Sequence, residues 1–171
     1  MPTDQDPATP PVVTVRRADY RDPADAEALV ELLDLYAREP VGGGMPLDTT
    51  VRADLPARLA AFPTASSLLA FADGEPAGLA NAVLGFSTFA ARPLLNLHDL
   101  VVAPAWRGLG IGRRLLVALE GMARDQGCCK LTLEVLGGNV TAQRLYRASG
   151  FVPYALDTQN GPAQFWHKPL A

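Results

Sequence analysis

The sequence predicts a single domain of mixed α/β (α+β) class, and three observations carry that expectation. Some segments repeat apolar residues at helical spacing while others alternate, so both element types are present. Asp73-Gly74 sits between two apolar runs, which is a hairpin signal. A β-branched run ending at Val102 passes through Pro104 and three alternate glycines into a leucine-rich stretch, as a strand does when it leads into a helix. The length of 171 residues, 49% hydrophobic and 19% charged, suits one core, since domains typically run about 100–200 residues.

The elements follow in order. Residues 1–11, proline-rich and acidic, read as a flexible tail, and 12–171 as one domain. Residues 12–18 form the first strand candidate. Asp22-Pro23 then gives a cap and a first-turn proline, and Ala26, Leu29, Val30, Leu33 and Tyr36 trace a helical face that ends near Pro40. "VGGG" reads as a flexible connector. Asp48 is placed to cap a second helix bearing Val51, Leu55, Leu59 and Phe62, which Pro56 should kink or split unless it falls in the first turn. Strands are expected near 67–72, 77–89 and 94–102. Ile111, Leu115, Leu119 and Met122 then mark a helix stopping at Gly127. Residues 130–135 alternate as a strand, Asn139 caps a short helix ending at Gly150, and "FVPY" and "AQFWHKPL" supply two last strand candidates.

Several function classes become less favoured on composition. The net charge of −3 argues against a nucleic-acid binder, and neither terminus shows a signal peptide or a membrane span. Cys128 and Cys129 are adjacent and cannot supply a disulfide framework or a zinc site, so no metal is expected and a reducing cytoplasm fits. Asn139-Val140-Thr141 has the form of a glycosylation sequon, read as chance without a secretory signal. Charge is uneven: residues 104–150 hold seven basic side chains against three acidic ones, a net +4 that leaves −7 elsewhere. An anion for one part and a cation for the other is the functional reading; solvated faces are the alternative.

The stretch "VVAPAWRGLGIGRR" has a physical explanation. A glycine-rich turn opening a helix aims successive backbone N–H groups into one concavity at the positive end of the helix dipole, where a phosphate binds. Gly108, Gly110 and Gly112 permit the turn and the close approach, and Arg107, Arg113 and Arg114 add charge. The run lacks the Gly-Lys-Ser/Thr of a P-loop and the spacing of a dinucleotide fingerprint. Alone it also fits a turn that is merely tight.

The wider context resembles the GNAT superfamily of N-acetyltransferases. Arg107, Gly108, Leu109, Gly110, Ile111 and Gly112 match its Arg/Gln-x-x-Gly-x-Gly/Ala signature, and "NVTAQRLYRASGF" is similar to the second signature, with Asn139, Ala142, Leu145, Tyr146, Gly150 and Phe151 in register. The "LHDLVV" strand and the "QFWHKPL" ending look similar to the diamine acetyltransferase branch. The resemblance implies a mixed, mostly antiparallel sheet of six to seven strands, splayed between strands 4 and 5 and flanked by about four helices. It further implies acetyl-CoA as cosubstrate, its pyrophosphate on residues 107 to 113, Arg113 included, and its pantetheine arm along Leu100, Val101 and Val102. A backbone N–H around Val101 would polarise the thioester carbonyl.

Two proton transfers then need groups. An alkyl ammonium with a pKa of about 10.4 is only about one part in a thousand neutral at pH 7. His98, standing where relatives often carry a glutamate, is one candidate to take its proton, and Asp99 is the other; on a regular strand only one of them faces the acceptor. Tyr146 matches the family tyrosine that donates to the leaving sulfur, and Asn139 caps its helix or meets the cofactor. Cys128, Cys129 and His167 read as structural. The expected function is N-acetylation of a primary amine of a small molecule or peptide, with Asp22, Asp25, Glu27, Glu31, Asp34, Glu39 and Asp48 favouring a cationic acceptor. A noncatalytic acyl-CoA binding or regulatory module, or another phosphate-ligand protein, are the competing readings. No nucleic-acid or membrane partner is expected, while homodimers, frequent in the superfamily, are neither required nor excluded.

Overall fold

The computed structural model describes residues 10–155, 161 and 163–170. Most of the expected tail, residues 1–9, lies outside them. One sheet organises the chain. Strands β1 (Val13–Arg17), β2 (Ala65–Ala72), β3 (Glu75–Ser87) and β4 (Arg92–Val102) pair antiparallel in sequence order, and β5 (Leu131–Leu133) joins β4 in parallel. Helices α1 (Pro23–Arg38) and α2 (Thr49–Ala61) connect β1 to β2, α3 (Ile111–Asp125) connects β4 to β5, and α4 (Val140–Ala148) follows.

Two apolar clusters hold the layers. On one face Ile111, Leu115 and Leu119 of α3 pack on Ala80, Ala82, Leu95 and Leu97. On the other, Leu29 and Leu32 of α1 meet Leu69, Leu79 and Val101. Small residues on β3 let α3 sit close, a jigsaw contact that larger side chains would prop open.

The helix ends follow their sequence signals. Asp22 accepts from the N–H groups of Ala24 and Asp25 with Pro23 in the first turn, and Asp48 accepts from Thr50 N–H at 2.8 Å. Asp73 and Gly74, both with positive φ, close the β2–β3 hairpin. Both α3 and α4 end in Schellman motifs: Gly127 and Cys128 donate back to Arg124 and Ala123, and Gly150 and Phe151 to Arg147 and Tyr146. Cys128 therefore completes a helix end and packs against the core, both cysteines staying half-buried. Burial pushes the Cys128 thiol up.

Three expectations are corrected. Helix α2 runs through Pro56 from Thr49 to Ala61 without splitting; none of its residues is fully buried, so the carbonyl that loses its partner is within reach of water. The sheet has five strands among the described residues. Among the described residues "FVPY" and "AQFWHKPL" add no ladder, the strand-like features there being a single bridge at Ala155 and the Ala163 N–H to Tyr154 C=O bond. Pro153 and Pro169 each lack a ladder donor, and Phe165 and Trp166 are exposed rather than packed, as is His167.

Six of the seven acids read as favouring a cationic acceptor have structural partners, and Glu27 is exposed. Buried Asp25 takes a forked pair from Arg16 and the Asp19 N–H, and buried Asp34 takes Arg38, Arg52 and the Leu47 N–H. Glu31 pairs with Arg52, Glu39 with Arg107, and Asp22 and Asp48 serve as caps. Asp34 thereby fastens the connector after α1, whose Gly42, Gly44 and Met45 N–H groups also return to the helix end.

The hydrogen bond from Arg16 holds the Asp25 carboxyl below the usual carboxylate range, and that from Arg38, reinforced by Leu47 N–H and Arg52, does the same for Asp34. Carboxylates lowered on folding stabilise above their unfolded pKa, about 3.9, and that contribution disappears as pH falls through the folded value. Asp34→Asn is expected to destabilise by about 1–3 kcal/mol at pH 7. In urea melts the gap from wild type should narrow below about pH 4; a gap independent of pH would show that the charge contributes nothing.

Candidate active site

The site grows out of an irregularity in β4. Asn81 of β3 pairs with Asp99 but its neighbour Ala82 pairs with Leu97, so His98 is an extra residue, a β-bulge. The bulge resets the alternation. Leu95 and Leu97 face α3, as does Leu100 beyond it, while Asp99 and Val101 turn to the α1 face. His98 is left exposed at the rim. Of the two candidates only Asp99 is placed beside the helix pair, and Asn81 donates to its Oδ2 at 3.0 Å.

Strand β5 leaves β4 at the same point. Its three pairs end at Leu97 with Leu133, so β4 from His98 to Val102 has no paired strand on that side among the described residues. Ala103 N–H bonds to Ala77 of β3, which by ladder alternation turns the Val101 peptide to β3 as well and those of Leu100 and Val102 into the gap. Of the N–H groups around Val101, one of which is expected to polarise a carbonyl, that of Val101 itself is thus engaged in the sheet. Its neighbours on either side face the opening.

Beyond Val102 a 3-10 turn, Pro104–Trp106, leads to the glycine run. Gly108 (φ 82°) and Gly110 (φ 75°) are left-handed, and Gly110 caps α3 without any side-chain hydrogen bond. The N–H groups of residues 108 to 113 have no acceptor among the described residues, and a Cβ at Gly108 or Gly110 would meet open space. The turn is open and lined by N–H groups, as an anion cradle requires. Gly112 has another purpose: a Cβ there would stand 3.0 Å from Leu145, so its absence lets α4 lie against α3.

The arginines divide. Arg107 donates from Nε to the Val102 carbonyl and pairs with Glu39, tying the cradle to the end of α1. Arg114 reaches back to the Val13 carbonyl, away from the cradle. Arg113 is exposed and lines a groove between α3 and the end of α4. Leu109 and Ile111 flank the glycines, Leu109 exposed and Ile111 in the core.

Tyr146 is held from several sides. Asn139 starts its helix by accepting from Ala142 N–H at 3.1 Å, and the Schellman closure brings Phe151 edge-on to the Tyr146 ring at 5.9 Å. Burial, then proximity to Tyr36 and to Asp99, pushes the Tyr146 hydroxyl up to about 12. Tyr36 is raised by burial and by Asp99 as well. Two tyrosines and one carboxylate from three elements therefore share one electrostatic neighbourhood at the gap.

The Acetyltransferase (GNAT) family model matches residues 27–151. The chain belongs to the GNAT family of acetyltransferases. Among its relatives, the aminoglycoside N(6')-acetyltransferase type 1 of Stenotrophomonas maltophilia is 33% identical over 142 residues, 81% of this chain and 85% of that one. The streptothricin acetyltransferase of Streptomyces lavendulae is 40% identical over 87 residues, 51% of this chain and 44% of that one. The thialysine N-epsilon-acetyltransferase of Bos taurus is 38% identical over 84 residues, 46% of this chain and 49% of that one. The chain thus spans less than half of two of these relatives and most of the third. A solved structure, aminoglycoside N-acetyltransferase AAC(6')-Iy in complex with CoA, superposes with a TM-score of 0.70 at 17% identity over 94% of this chain and 97% of that one.

Sequence reasoning missed the bulge and the placement of Tyr36. The bulge has a trace in the sequence: Leu97 and Leu100 share a face although three residues apart, a break in period 2. Tyr36 was legible only as part of a helical stripe.

Proposed function

We propose that the chain transfers the acetyl group of acetyl-CoA to a primary amine of a small molecule or peptide, by direct attack within a ternary complex, and that residues 12–171 act as one catalytic domain. The observation that carries this reading is the gap beside β4, with an N–H cradle at one end and Asp99, Tyr36 and Tyr146 grouped at the other. The free N–H groups of 108 to 113 fit a pyrophosphate, and the Leu100 and Val102 peptides fit an extended amide chain laid along them as a further strand. Acetyl-CoA supplies an activated thioester. The protein's share is to hold it, polarise its carbonyl and orient the amine.

Asp99 holds the acceptor's ammonium by a charge-assisted hydrogen bond. A carboxylate favours the charged amine, so it orients rather than deprotonates; the ammonium loses one proton before its lone pair attacks, which His98 at the rim is placed to pass to water, and the adduct's second N–H proton ends on the departing thiol as the C–S bond breaks. The Tyr146 hydroxyl faces the leaving sulfur. Amine-acetylating relatives, named for aminoglycosides and thialysine, support a cationic amine as acceptor. Free Cys128 and Cys129 suit a reducing, cytoplasmic setting.

The test is thiol release from acetyl-CoA, with sisomicin, thialysine, spermidine and a lysine peptide as acceptors. Release that depends on one amine class supports the enzyme; saturable acetyl-CoA binding with no release from any of them supports a binding module instead. Gly110→Val forces a β-branched residue into left-handed backbone and fills the cradle. It is expected to weaken acetyl-CoA about 10–100-fold, the equivalent of strain plus lost N–H contacts. Calorimetry showing unchanged affinity would remove the cradle from the reading.

A further inference from the structure

We propose that Asn81, Ser67 and Tyr20 form a directed hydrogen-bond chain that positions Asp99 toward the acceptor amine, an inference that rests on the transferase reading. Ser67, Asn81 and Asp99 are direct cross-strand partners on β2, β3 and β4, a polar row across the α1 face of an otherwise apolar sheet. Ser67 is 1% exposed. A buried hydroxyl in such a place costs stability unless bonded, and here three consecutive bonds account for it.

Their direction is fixed by chemistry. An ionised carboxylate only accepts, so the Asn81 Nδ2 must be the atom facing Asp99 Oδ2, at 3.0 Å. Asn81 Oδ1 is then turned to Ser67, whose Oγ–H donates at 2.6 Å. With its single proton used there, Ser67 can only accept from Tyr20 O–H, at 3.0 Å. Every donor in the row therefore points toward Asp99.

Tyr20 anchors the far end at the entry to α1, where burial and the Ser67 bond set its hydroxyl. Asp99 Oδ2 is committed to the chain, while Oδ1 has no hydrogen bond among the described residues. One carboxylate oxygen is clamped and the other is left uncommitted. Polarised chains in a low-dielectric interior strengthen their terminal bond, so distant members act through Asp99 without touching the amine. They are positioning residues.

Kinetics separates this from a merely structural row. Asn81→Leu, Ser67→Ala and Tyr20→Phe are expected to lower kcat/KM for sisomicin or thialysine by about thirtyfold, tenfold and threefold, an attenuation with distance along the chain. The KM for acetyl-CoA should stay at the wild-type value. In an Asp99→Ala background, Ser67→Ala should add nothing, since its route is gone. An equal loss in both backgrounds, a matching loss of acetyl-CoA affinity, or no loss in any single variant overturns the proposal. Wild-type protein that releases no thiol with any amine would instead defeat the transferase reading. In that event crystal structures of Ser67→Ala and Asn81→Leu decide: an Asp99 carboxylate that keeps its orientation in both overturns the chain, and one that swings supports it.

Discussion

On the proposed function, Tyr146→Phe is expected to lower kcat by about 10²–10³-fold, the usual cost of removing one donor aimed at developing charge. The phenol is kept protonated by burial, by Tyr36 and by Asp99, its hydroxyl pushed up to about 12. A thiol has an ordinary pKa of about 8.5, so handing over the whole proton would run uphill by about 5 kcal/mol. On the proposed function a hydrogen bond to the sulfur is therefore the contribution that prevails, and the proton on the product thiol comes from the amine. Because the bond strengthens only as the sulfur becomes anionic, kcat and kcat/KM should fall together. No activity limb should trace to Tyr146 below about pH 11. A variant with raised KM and unchanged kcat would make Tyr146 a binding residue only.

The second large effect is at Asp99. Asp99→Ala is expected to reduce kcat/KM for the amine about 10²–10³-fold, since it removes a charge-assisted bond and its orienting geometry together. Acetyl-CoA binding should be untouched. His98→Gln, at an exposed bulge position, should cost less than about tenfold, since water can accept the proton in its place. If His98→Gln proved the more damaging of the two, the roles assigned to these neighbours would have to be exchanged.

Much of this architecture was legible in advance, and the reasons differ by element. Caps at Asp22, Asp48 and Asn139 and stops at Gly127 and Gly150 are local chemistry, and each is realised. The glycine cradle was legible because positive φ and bare N–H groups demand that residue type. Strands 163–170 failed because alternation alone does not supply a partner strand, and Phe165 and Trp166 lie exposed. The pairing of the acids on α1 was hidden for a related reason: a residue list shows charge but not the guanidinium beside it, as Arg16 stands by Asp25 and Arg52 by Glu31. The choice between His98 and Asp99 hung on a single inserted residue, and only pairing with β3 reveals which neighbour it displaces.

The early departure of β5 from β4 has a thermodynamic side. On the proposed function the protein alone is a sheet with one strand's worth of backbone left unpaired, and its cosubstrate completes the ladder. Binding and folding are then linked by mass action. The melting temperature would rise with acetyl-CoA concentration, and each release of product would return the fold to its less stable, unfinished form.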